Sequence, residues 1–482
     1  MIKKRANIEK FKYLLSNSLE KHRVMGMHTE LRKKLLSGEK KIGIWGLGYI
    51  GFSSMAYFAK EGVSCIGTDI IKERVDRINT VGKSHLPNMD FWLGFDTLPL
   101  VKSKLMYATT DWKELICEDV AVHLVAIPTE REGKPYDDIL VDVMTKLFTS
   151  YKKFKPAEPP LIIIESTLTP NRVDTLILPM AKKHGLRVGK DILLGVAPRR
   201  DWFVSPDKTL KTLPRVVGGT DPYTTDLIAE VLGIVSDTVL KATDHNHACI
   251  VKSIENAFRQ VDITLANQFS LAYPHLNMTE ILKLAGTKWN INTYHPSFGT
   301  GGYCIPLAPQ YVLEGAKHPE VLTILKASLE TDFSQPQRVA KSVAKRGFKN
   351  IGILGLAYTG DIKVAVLSPT IALVKEFKKL GIKVRVNDPL FTPDEIKEHT
   401  GAEAFEFPTG MNEFDAILIV APHMQYKSIP YMEILDNLRK CKFILDNMGV
   451  WKHLPFEKHG IEYHEAGDAH WLEVEKDGNE SH

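Results

Sequence analysis

The residues of this sequence that most directly suggest covalent chemistry surround Cys304. The segment Gly299-Thr-Gly-Gly-Tyr-Cys304 places three glycines within the five residues before the cysteine. Such a backbone lets a substrate approach closely, and amides left free there would stabilise an anion. A thiolate in this loop is suited to attack a carbonyl carbon. An isolated cysteine is more often a buried core residue, but the glycine cluster favours a nucleophile at this position.

A second motif, Gly46-x-Gly48-x-x-Gly51, has the spacing of a dinucleotide-binding turn. In that motif the first glycine makes the tight turn, the second admits the pyrophosphate, and the third packs helix on strand. The amides at the start of the following helix, where Tyr49 and Ile50 lie, face the anion. The pattern alone is weak, and a purely structural glycine turn is the alternative.

The placement of an acid after this turn strengthens the case for a ligand. Asp69 lies 18 residues beyond Gly51, at the end of the next predicted strand. A carboxylate there binds ribose hydroxyls and repels a 2′-phosphate, which favours NAD over NADP. Lys72 and Arg74 are close enough in sequence to soften that repulsion.

Lys252 and Asn256 form a third candidate group. They are four residues apart in a helical segment and share one face, with Arg259 on the adjoining strip. A lysine and an asparagine together can bind an oxyanion. By spacing alone, a solvated helix face explains the same residues.

Alternating strands and helices must position these groups. Around the first turn, apolar strands are predicted at residues 41–46, 63–69, 120–127, 161–165 and 192–197, separated by segments of helical period. This alternation indicates a parallel doubly wound sheet. Residues 240–333 lack it, and residues 247–273 have the apolar spacing of one long helix.

A second α/β segment begins near Gln335. Gly355, Ala357 and Gly360 repeat the offsets of the first turn, with alanine in the middle position. A helix at 369–380, strands at 383–386, 416–420 and 443–445, and Asp388 complete this unit.

We therefore predict an α/β protein with two Rossmann-like doubly wound parallel-sheet domains, joined by a long central helix in a helical domain. The predicted divisions are an N-terminal helical extension (1–38), a dinucleotide-binding domain (39–235), a central domain with the cysteine loop (236–333), a C-terminal Rossmann-like domain (334–472) and a disordered tail (473–482). The extension is either an oligomerisation arm or a helix packed on its own domain.

The composition excludes several classes of protein. A net charge of +4 over 482 residues gives no support for nucleic-acid binding. The five cysteines are scattered and odd in number, which argues against a disulfide framework or a metal site and fits a reducing cytoplasm. No apolar run is long enough to cross a bilayer, and the N-terminus does not have the pattern of a signal peptide. We expect a cytoplasmic protein.

Taken in order, the motifs resemble the UDP-glucose/GDP-mannose dehydrogenase family across about residues 40–470. The glycine turn, Cys304 and the Lys252/Asn256 pair are joined by further family motifs. These are Ala108–Asp111, Pro128-Thr129, Glu165–Thr167, Pro214–Gly219, Ser368-Pro369 and Asp388-Pro389. The segments 165–167 and 252–259 are most similar to the branch that oxidises UDP-N-acetylhexosamines.

The resemblance implies an enzyme that oxidises the C6 alcohol of a UDP-sugar to a carboxylate with two NAD+ in sequence. It makes Cys304 the nucleophile that forms a thiohemiacetal and then a thioester, with Lys252 and Asn256 stabilising oxyanions and Thr129 ordering a water. It also implies a homodimer through the central helix and UDP bound by the C-terminal domain. Other implied cofactor residues are Pro128, Thr129 and Thr167, and other implied substrate residues are Arg259, Gly301, Gly302 and Tyr303.

The sequence departs from the family at several polar positions. Ala308 stands where the family has an aspartate, and Arg199 stands where it has a glutamate to which the resemblance assigns assistance in hydrolysis. Losing such a base removes a means of activating water. Further departures are Asn290, Thr359 and Val366. The candidate substitutes for the two missing acids are Asp201, Glu165, Lys288 and His295.

The sequence is consistent with three functions. A complete 6-dehydrogenase would form two NADH and a uronate per sugar. A relative with altered chemistry would stop at the aldehyde, oxidise another carbon, or pass the thioester to another nucleophile. A non-catalytic nucleotide-sugar-binding protein would fit the missing acids but not the retained Cys304, Lys252 and Asn256.

Overall fold

The computed structural model describes residues 30–84, 89–200 and 208–472. Contacts divide the chain into two compact units, one containing residues up to Arg131 together with Tyr136–Lys252, the other Glu132–Pro135 and residues from Ser253 onward. Residues 30–36 are helical. Residues 1–29 of the predicted N-terminal extension and the predicted tail (473–482) lie outside the described residues. Among the described residues, no helix is both long and apolar enough to cross a bilayer.

The first unit is built on an eight-stranded sheet in the order β10-β9-β8-β7-β4-β1-β2-β3. Neighbouring strands are parallel except β8 and β9, which are antiparallel. The predicted doubly wound parallel sheet is confirmed, and the antiparallel pair is an addition to it. The strands that precede the central helix are β1 (Lys41–Trp45), β2 (Cys65–Thr68), β3 (Met106–Thr109), β4 (Val120–Val125), β5 (Glu130–Arg131), β6 (Lys134–Pro135), β7 (Leu161–Ile164), β8 (Leu193–Val196), β9 (Arg215–Gly219) and β10 (Val239–Lys241).

The helices of this unit cover both faces of the sheet. Tyr49–Lys60 buries Phe52, Met55 and Phe58, which recur at helical spacing on the side that packs on the strands. Strand order reverses between β4 and β1, and ligands of doubly wound folds bind at such a reversal, beyond the carboxyl ends of the strands. The helices are Tyr49–Lys60, Lys72–Val81, Met89–Leu93, Leu98–Lys102, Asp138–Phe154, Leu178–Lys183 and Pro222–Leu232, with a π-helical turn at Val173–Ile177.

A single helix, His245–Ala272, confirms the predicted long central helix. The division between the two compact units falls inside this helix, after Lys252. The domain boundary at residue 236 stays a prediction. The boundary predicted at residue 334 falls inside the helix Thr323–Lys345, which continues through Pro336. The other helices of the second unit are Met278–Ala285, Ala308–Gly315, Pro369–Lys379, Pro393–Thr400, Met424–Lys427 and Tyr431–Asp436.

The second unit carries an all-parallel sheet in the order β13-β12-β11-β14-β15-β16. It confirms the second Rossmann-like fold. Ser368 accepts a hydrogen bond from the Thr370 amide and so caps the helix that follows, which explains the Ser-Pro motif. The strands are β11 (Asn350–Leu354), β12 (Lys383–Asn387), β13 (Glu403–Ala404), β14 (Ala416–Ile419), β15 (Phe443–Asp446) and β16 (Glu462–Glu465).

Candidate active site

The first glycine turn follows β1 at the strand-order reversal. Gly46 has a φ of 86°, and a Cβ on it would lie 2.5 Å from the Ala126 carbonyl oxygen. A Cβ on Gly51 would lie 1.8 Å from the Gly46 carbonyl oxygen. Packing therefore requires both glycines. Gly48 differs, because a Cβ there would meet no protein atom within 4 Å, and no side chain caps the helix that starts after it. This open space and the uncapped amides fit the pyrophosphate of a dinucleotide.

Asp69 follows β2, and its buried carboxylate is held by three donors. The amide of Leu47 donates to Oδ2 at 2.8 Å and that of Ile71 donates to Oδ1 at 3.0 Å. Arg74 Nη1 lies 2.6 Å from Oδ2, so Arg74 is the cation beside the acid. A carboxylate has about four lone-pair sites, which leaves room for a ribose hydroxyl.

The ends of β4 and β7 meet beside the glycine turn. Thr129 Oγ1 donates to the Thr167 carbonyl oxygen at 2.6 Å, and the Ile127 amide donates to Ser166 Oγ at 2.9 Å. Pro128 lies between these contacts along the chain. Because the Thr129 hydroxyl proton is already used, its oxygen can serve a water only as an acceptor.

A buried charged network contacts the helix Tyr49–Lys60. Glu165 accepts from Arg215 Nη2 at 2.9 Å and from Ser54 Oγ at 2.6 Å. Arg199 is also buried and donates to Ser54 Oγ at 2.6 Å. Arg199 thus supports the helix from within the core. Glu165, one of the suggested substitute acids, is buried in an ion pair and is not placed to activate a water.

Cys304 is exposed, in the turn that leads to the helix Ala308–Gly315. The glycines before it pack tightly against Tyr358. A Cβ on Gly301 would lie 2.5 Å from the Tyr358 Cβ, and one on Gly302 would lie 2.6 Å from the Tyr358 ring. Gly302 also has a φ of 83°, which favours glycine. These glycines therefore serve packing within the second unit.

The amides of this loop are not all free, which corrects one expectation. The Gly302 amide donates to the Val366 carbonyl oxygen at 2.7 Å. The Thr300 amide donates to Asp332 Oδ1 at 2.9 Å, and the Gly299 amide contacts a serine hydroxyl at 3.4 Å. The prediction of free glycine amides is therefore wrong for Gly299 and Gly302. Gly302 has a partner distant in sequence, whereas Gly299 contacts the Ser297 hydroxyl two residues earlier in the chain.

Asp332 was not identified from the sequence. It is a buried acid on the helix Thr323–Lys345, and it contacts Thr300 through both the amide and the hydroxyl. Burial raises the pKa of Asp332, although hydrogen bonds from Thr300 and Gln260 act in the opposite direction. A signal existed in the sequence, since Asp332 falls on the apolar stripe that includes Leu325 and Leu329.

On the central helix, Lys252 is half-buried, Asn256 is buried and Arg259 is half-buried. The helix confirms that Lys252 and Asn256 are one turn apart on one face. Their side chains lie at the boundary between solvent and core, rather than on a fully solvated face.

The second glycine turn is organised by a buried Asp–His pair that sequence reasoning missed. Asp388 Oδ2 accepts from the amides of Leu356 and Ala357, each at 2.8 Å. His423 Nε2 lies 3.1 Å from the same oxygen, while its Nδ1 accepts from the Asp361 amide at 3.0 Å. The Asp-Pro motif therefore fixes the backbone of the turn.

At the two positions where the family has an acid, this chain has no carboxylate. Ala308 is buried, and Arg199 is directed into the core. Of the other suggested substitutes, Lys288 and His295 are exposed, and Asp201 lies outside the described residues. The described part of the chain contains no cluster of three or more His, Cys, Asp or Glu side chains that could hold a metal ion.

Comparison with known proteins identifies the class that this fold and these sites define. The UDP-glucose/GDP-mannose dehydrogenase family matches through its NAD binding domain at residues 40–236, its central domain at 246–332 and its UDP binding domain at 352–453. The chain belongs to this family and is an NAD-dependent dehydrogenase.

Individual relatives indicate which branch of the family this chain resembles. The chain is 28% identical to the UDP-N-acetyl-D-mannosamine dehydrogenase of Methanococcus aeolicus, over 89% of this chain and 95% of that protein. It is 25% identical to the UDP-N-acetyl-D-glucosamine 6-dehydrogenase of Pseudomonas aeruginosa, over 83% and 93%. These names confirm the resemblance to the UDP-N-acetylhexosamine branch.

Solved structures agree on the fold. The UDP-D-ManNAc dehydrogenase of Pyrococcus horikoshii superposes with a TM-score of 0.76 at 24% identity, covering 89% of this chain and 100% of that one. The UDP-glucose dehydrogenase of Pyrobaculum islandicum gives 0.75 at 18% identity, covering 89% and 98%.

Proposed function

We propose that this protein oxidises the C6 alcohol of a UDP-sugar, most suitably a UDP-N-acetylhexosamine, to the uronate. The observation that carries the proposal is an exposed Cys304 at the end of a loop whose backbone is fixed by internal hydrogen bonds. Such a thiol is accessible to an aldehyde carbon, and a fixed loop holds it in one place. The names of the relatives support the choice of sugar.

The cofactor residues would be those of the first turn. The open space at Gly48 and the amides of Tyr49 and Ile50 suit the pyrophosphate, and Asp69 suits the ribose. Bound NAD+ supplies the hydride acceptor. Thr129 would accept a hydrogen bond from a water, since its own proton is engaged.

The proposed roles on the substrate side begin with Cys304. Its sulfur would add to the aldehyde carbon to give a thiohemiacetal, and loss of a hydride from that adduct to a second NAD+ would give a thioester. Lys252 and Asn256 would donate hydrogen bonds to the oxyanion of each tetrahedral species. Water then attacks the thioester and releases the uronate and the thiol. Arg259, Gly301, Gly302 and Tyr303 remain the predicted substrate contacts.

We also propose a homodimer formed through the central helix. Exposed apolar side chains recur along one face of it, and a monomer leaves such a stripe in water at a cost. The stripe consists of Ile254, Phe258, Leu265 and Phe269, of which Phe258 is 70% exposed.

The test uses purified protein, NAD+ and a panel of UDP- and GDP-sugars, following NADH and product mass. Cys304→Ser should lose uronate formation, while Cys117→Ser, the matched change at the half-exposed cysteine, should retain it. Uronate formed equally by both variants would refute the cysteine mechanism. Failure of the wild type with every sugar would refute the proposed substrate class.

A second function is favoured by one observation, namely that neither Ala308 nor Arg199 brings a carboxylate to the cysteine chemistry. Water activation is then slow, and the thioester can instead pass to another nucleophile or the reaction can stop at the aldehyde. Product masses from the same panel distinguish an aldehyde, a uronyl group transferred to another nucleophile, and a free uronate.

A further inference from the structure

The buried acid Asp332 lies in the second unit, in contact with the loop that ends in Cys304. Its Oδ1 accepts from the Thr300 amide at 2.9 Å and its Oδ2 accepts from the Thr300 hydroxyl at 2.6 Å. Thr300 stands four residues before Cys304. One carboxylate therefore fixes both the backbone and the side chain of a single loop residue.

The central helix joins the same network through Gln260. Gln260 is fully buried, one turn beyond Asn256, and its Oε1 lies 3.2 Å from the Thr300 hydroxyl. Its Nε2 donates to Thr264 Oγ1 at 3.1 Å. Thr264 Oγ1 in turn lies 3.3 Å from the Ser328 carbonyl oxygen, on the helix that carries Asp332.

Burying an acid at this place costs folding free energy, so its presence needs an explanation. Removing a carboxylate from water is unfavourable, and an apolar side chain of similar size is often as stable or more stable there. Charge-assisted hydrogen bonds to a carboxylate also impose tighter geometry than neutral ones. The group on which this geometry is imposed is Thr300, in the loop that leads to Cys304.

We propose that Asp332 is a positioning residue that acts through Thr300 to hold Cys304 in its reactive place, with Gln260 coupling this loop to the helix that carries Asn256. Asp332 itself does not touch the reacting atoms. The inference rests on the cysteine mechanism proposed above. A misplacement of about 1 Å at a nucleophile reduces turnover on the order of a hundredfold, and partial loosening reduces it less.

The test compares valine substitutions at two threonines of this network, the half-buried Thr300 and the buried Thr264. Thr300→Val removes the hydroxyl that binds Asp332, whereas Thr264→Val removes a hydroxyl of the same network that does not contact the loop. We expect Thr300→Val to lower kcat about tenfold with NADH affinity unchanged. We expect Thr264→Val to keep kcat within about twofold of the wild-type value. Thr300→Ser, which keeps a hydroxyl at this position, should have the wild-type kcat that Thr300→Val loses. Equal kcat for the two valine variants, or no rescue by serine, would overturn the proposal.

A second readout does not depend on the sugar substrate. The alkylation rate of Cys304 by iodoacetamide should change about threefold or more in Thr300→Val and in Asp332→Asn, since both disturb the loop. It should stay at the wild-type value in Thr264→Val and in Asp262→Asn, an acid of the central helix outside this network. An unchanged alkylation rate of Cys304 in Asp332→Asn would refute the positioning role of Asp332. If the wild type has no turnover but the variants show these differences in alkylation rate, only the proposed reaction is refuted.

Discussion

Gly48 offers a substitution that separates cofactor binding from folding. Its φ and ψ of −70° and −163° are open to any residue, and a Cβ would meet no protein atom within 4 Å. In Gly48→Ala, the weaker N-cap costs less than about 1 kcal/mol. The reduced freedom of the unfolded chain returns about 0.4–1 kcal/mol. We therefore expect the free energy of unfolding to stay within about 1 kcal/mol of the wild type.

The same methyl group occupies the space assigned to the pyrophosphate. We expect NADH affinity to fall by about tenfold to a hundredfold, or about 1.4–2.8 kcal/mol. Gly48→Ser makes the contrast sharper, because serine is a better N-cap and should stabilise the helix while still blocking the nucleotide.

The assay is an NADH fluorescence titration beside urea denaturation of each variant. Gly51→Ala is the control for a packing glycine, since its Cβ would lie 1.8 Å from a carbonyl oxygen and should lower stability by several kcal/mol. Wild-type NADH affinity in a folded Gly48→Ala protein would refute the assignment of the turn.

Three further outcomes are expected. Phe258→Glu should convert the proposed dimer to a folded monomer in light scattering, and a dimer of unchanged mass would contradict the central-helix interface. Gly302→Ala should lower the free energy of unfolding by about 2–4 kcal/mol in urea, because a methyl there combines a φ of 83° with overlap of the Tyr358 ring. The raised pKa of Asp332 means that the folded chain binds this proton more tightly than the unfolded chain does, so wild-type stability relative to Asp332→Asn should decline as pH rises from about 4 through the folded pKa. If the difference in free energy of unfolding between the wild type and Asp332→Asn does not change between pH 4 and 7, the raised pKa of Asp332 is contradicted.

Local spacing made much of the fold predictable. The glycine turn, its acid, the second turn and the long central helix each depend on patterns within about 30 residues, which periodicity and motif spacing detect. Ser368 and Asp388 were noticed as motif residues, and the structure supplies their reasons, a helix cap and a bond to the turn amides.

The contacts that sequence could not supply join distant segments. The Thr300 amide donates to Asp332 and the Gly302 amide donates to Val366, partners far apart in the chain, so the sequence could not show that these two amides are engaged. From sequence alone, a buried polar residue on a helix cannot be distinguished from one that faces solvent, because the neighbouring elements that bury it are not known. Arg199 illustrates the same limit, since only the fold reveals that it binds Ser54 inside the first unit.

The central claim, that Cys304 carries the sugar as a thioester, is tested most directly by rapid-quench mass spectrometry. Wild-type protein mixed with NAD+ and a UDP-N-acetylhexosamine should yield, on the peptide that contains Cys304, an added mass equal to the uronyl form of the substrate. The adduct should be absent without NAD+ and absent in Cys304→Ser. Uronate production by the wild type with no adduct at any quench time, and by Cys304→Ser at an undiminished rate, would contradict the account.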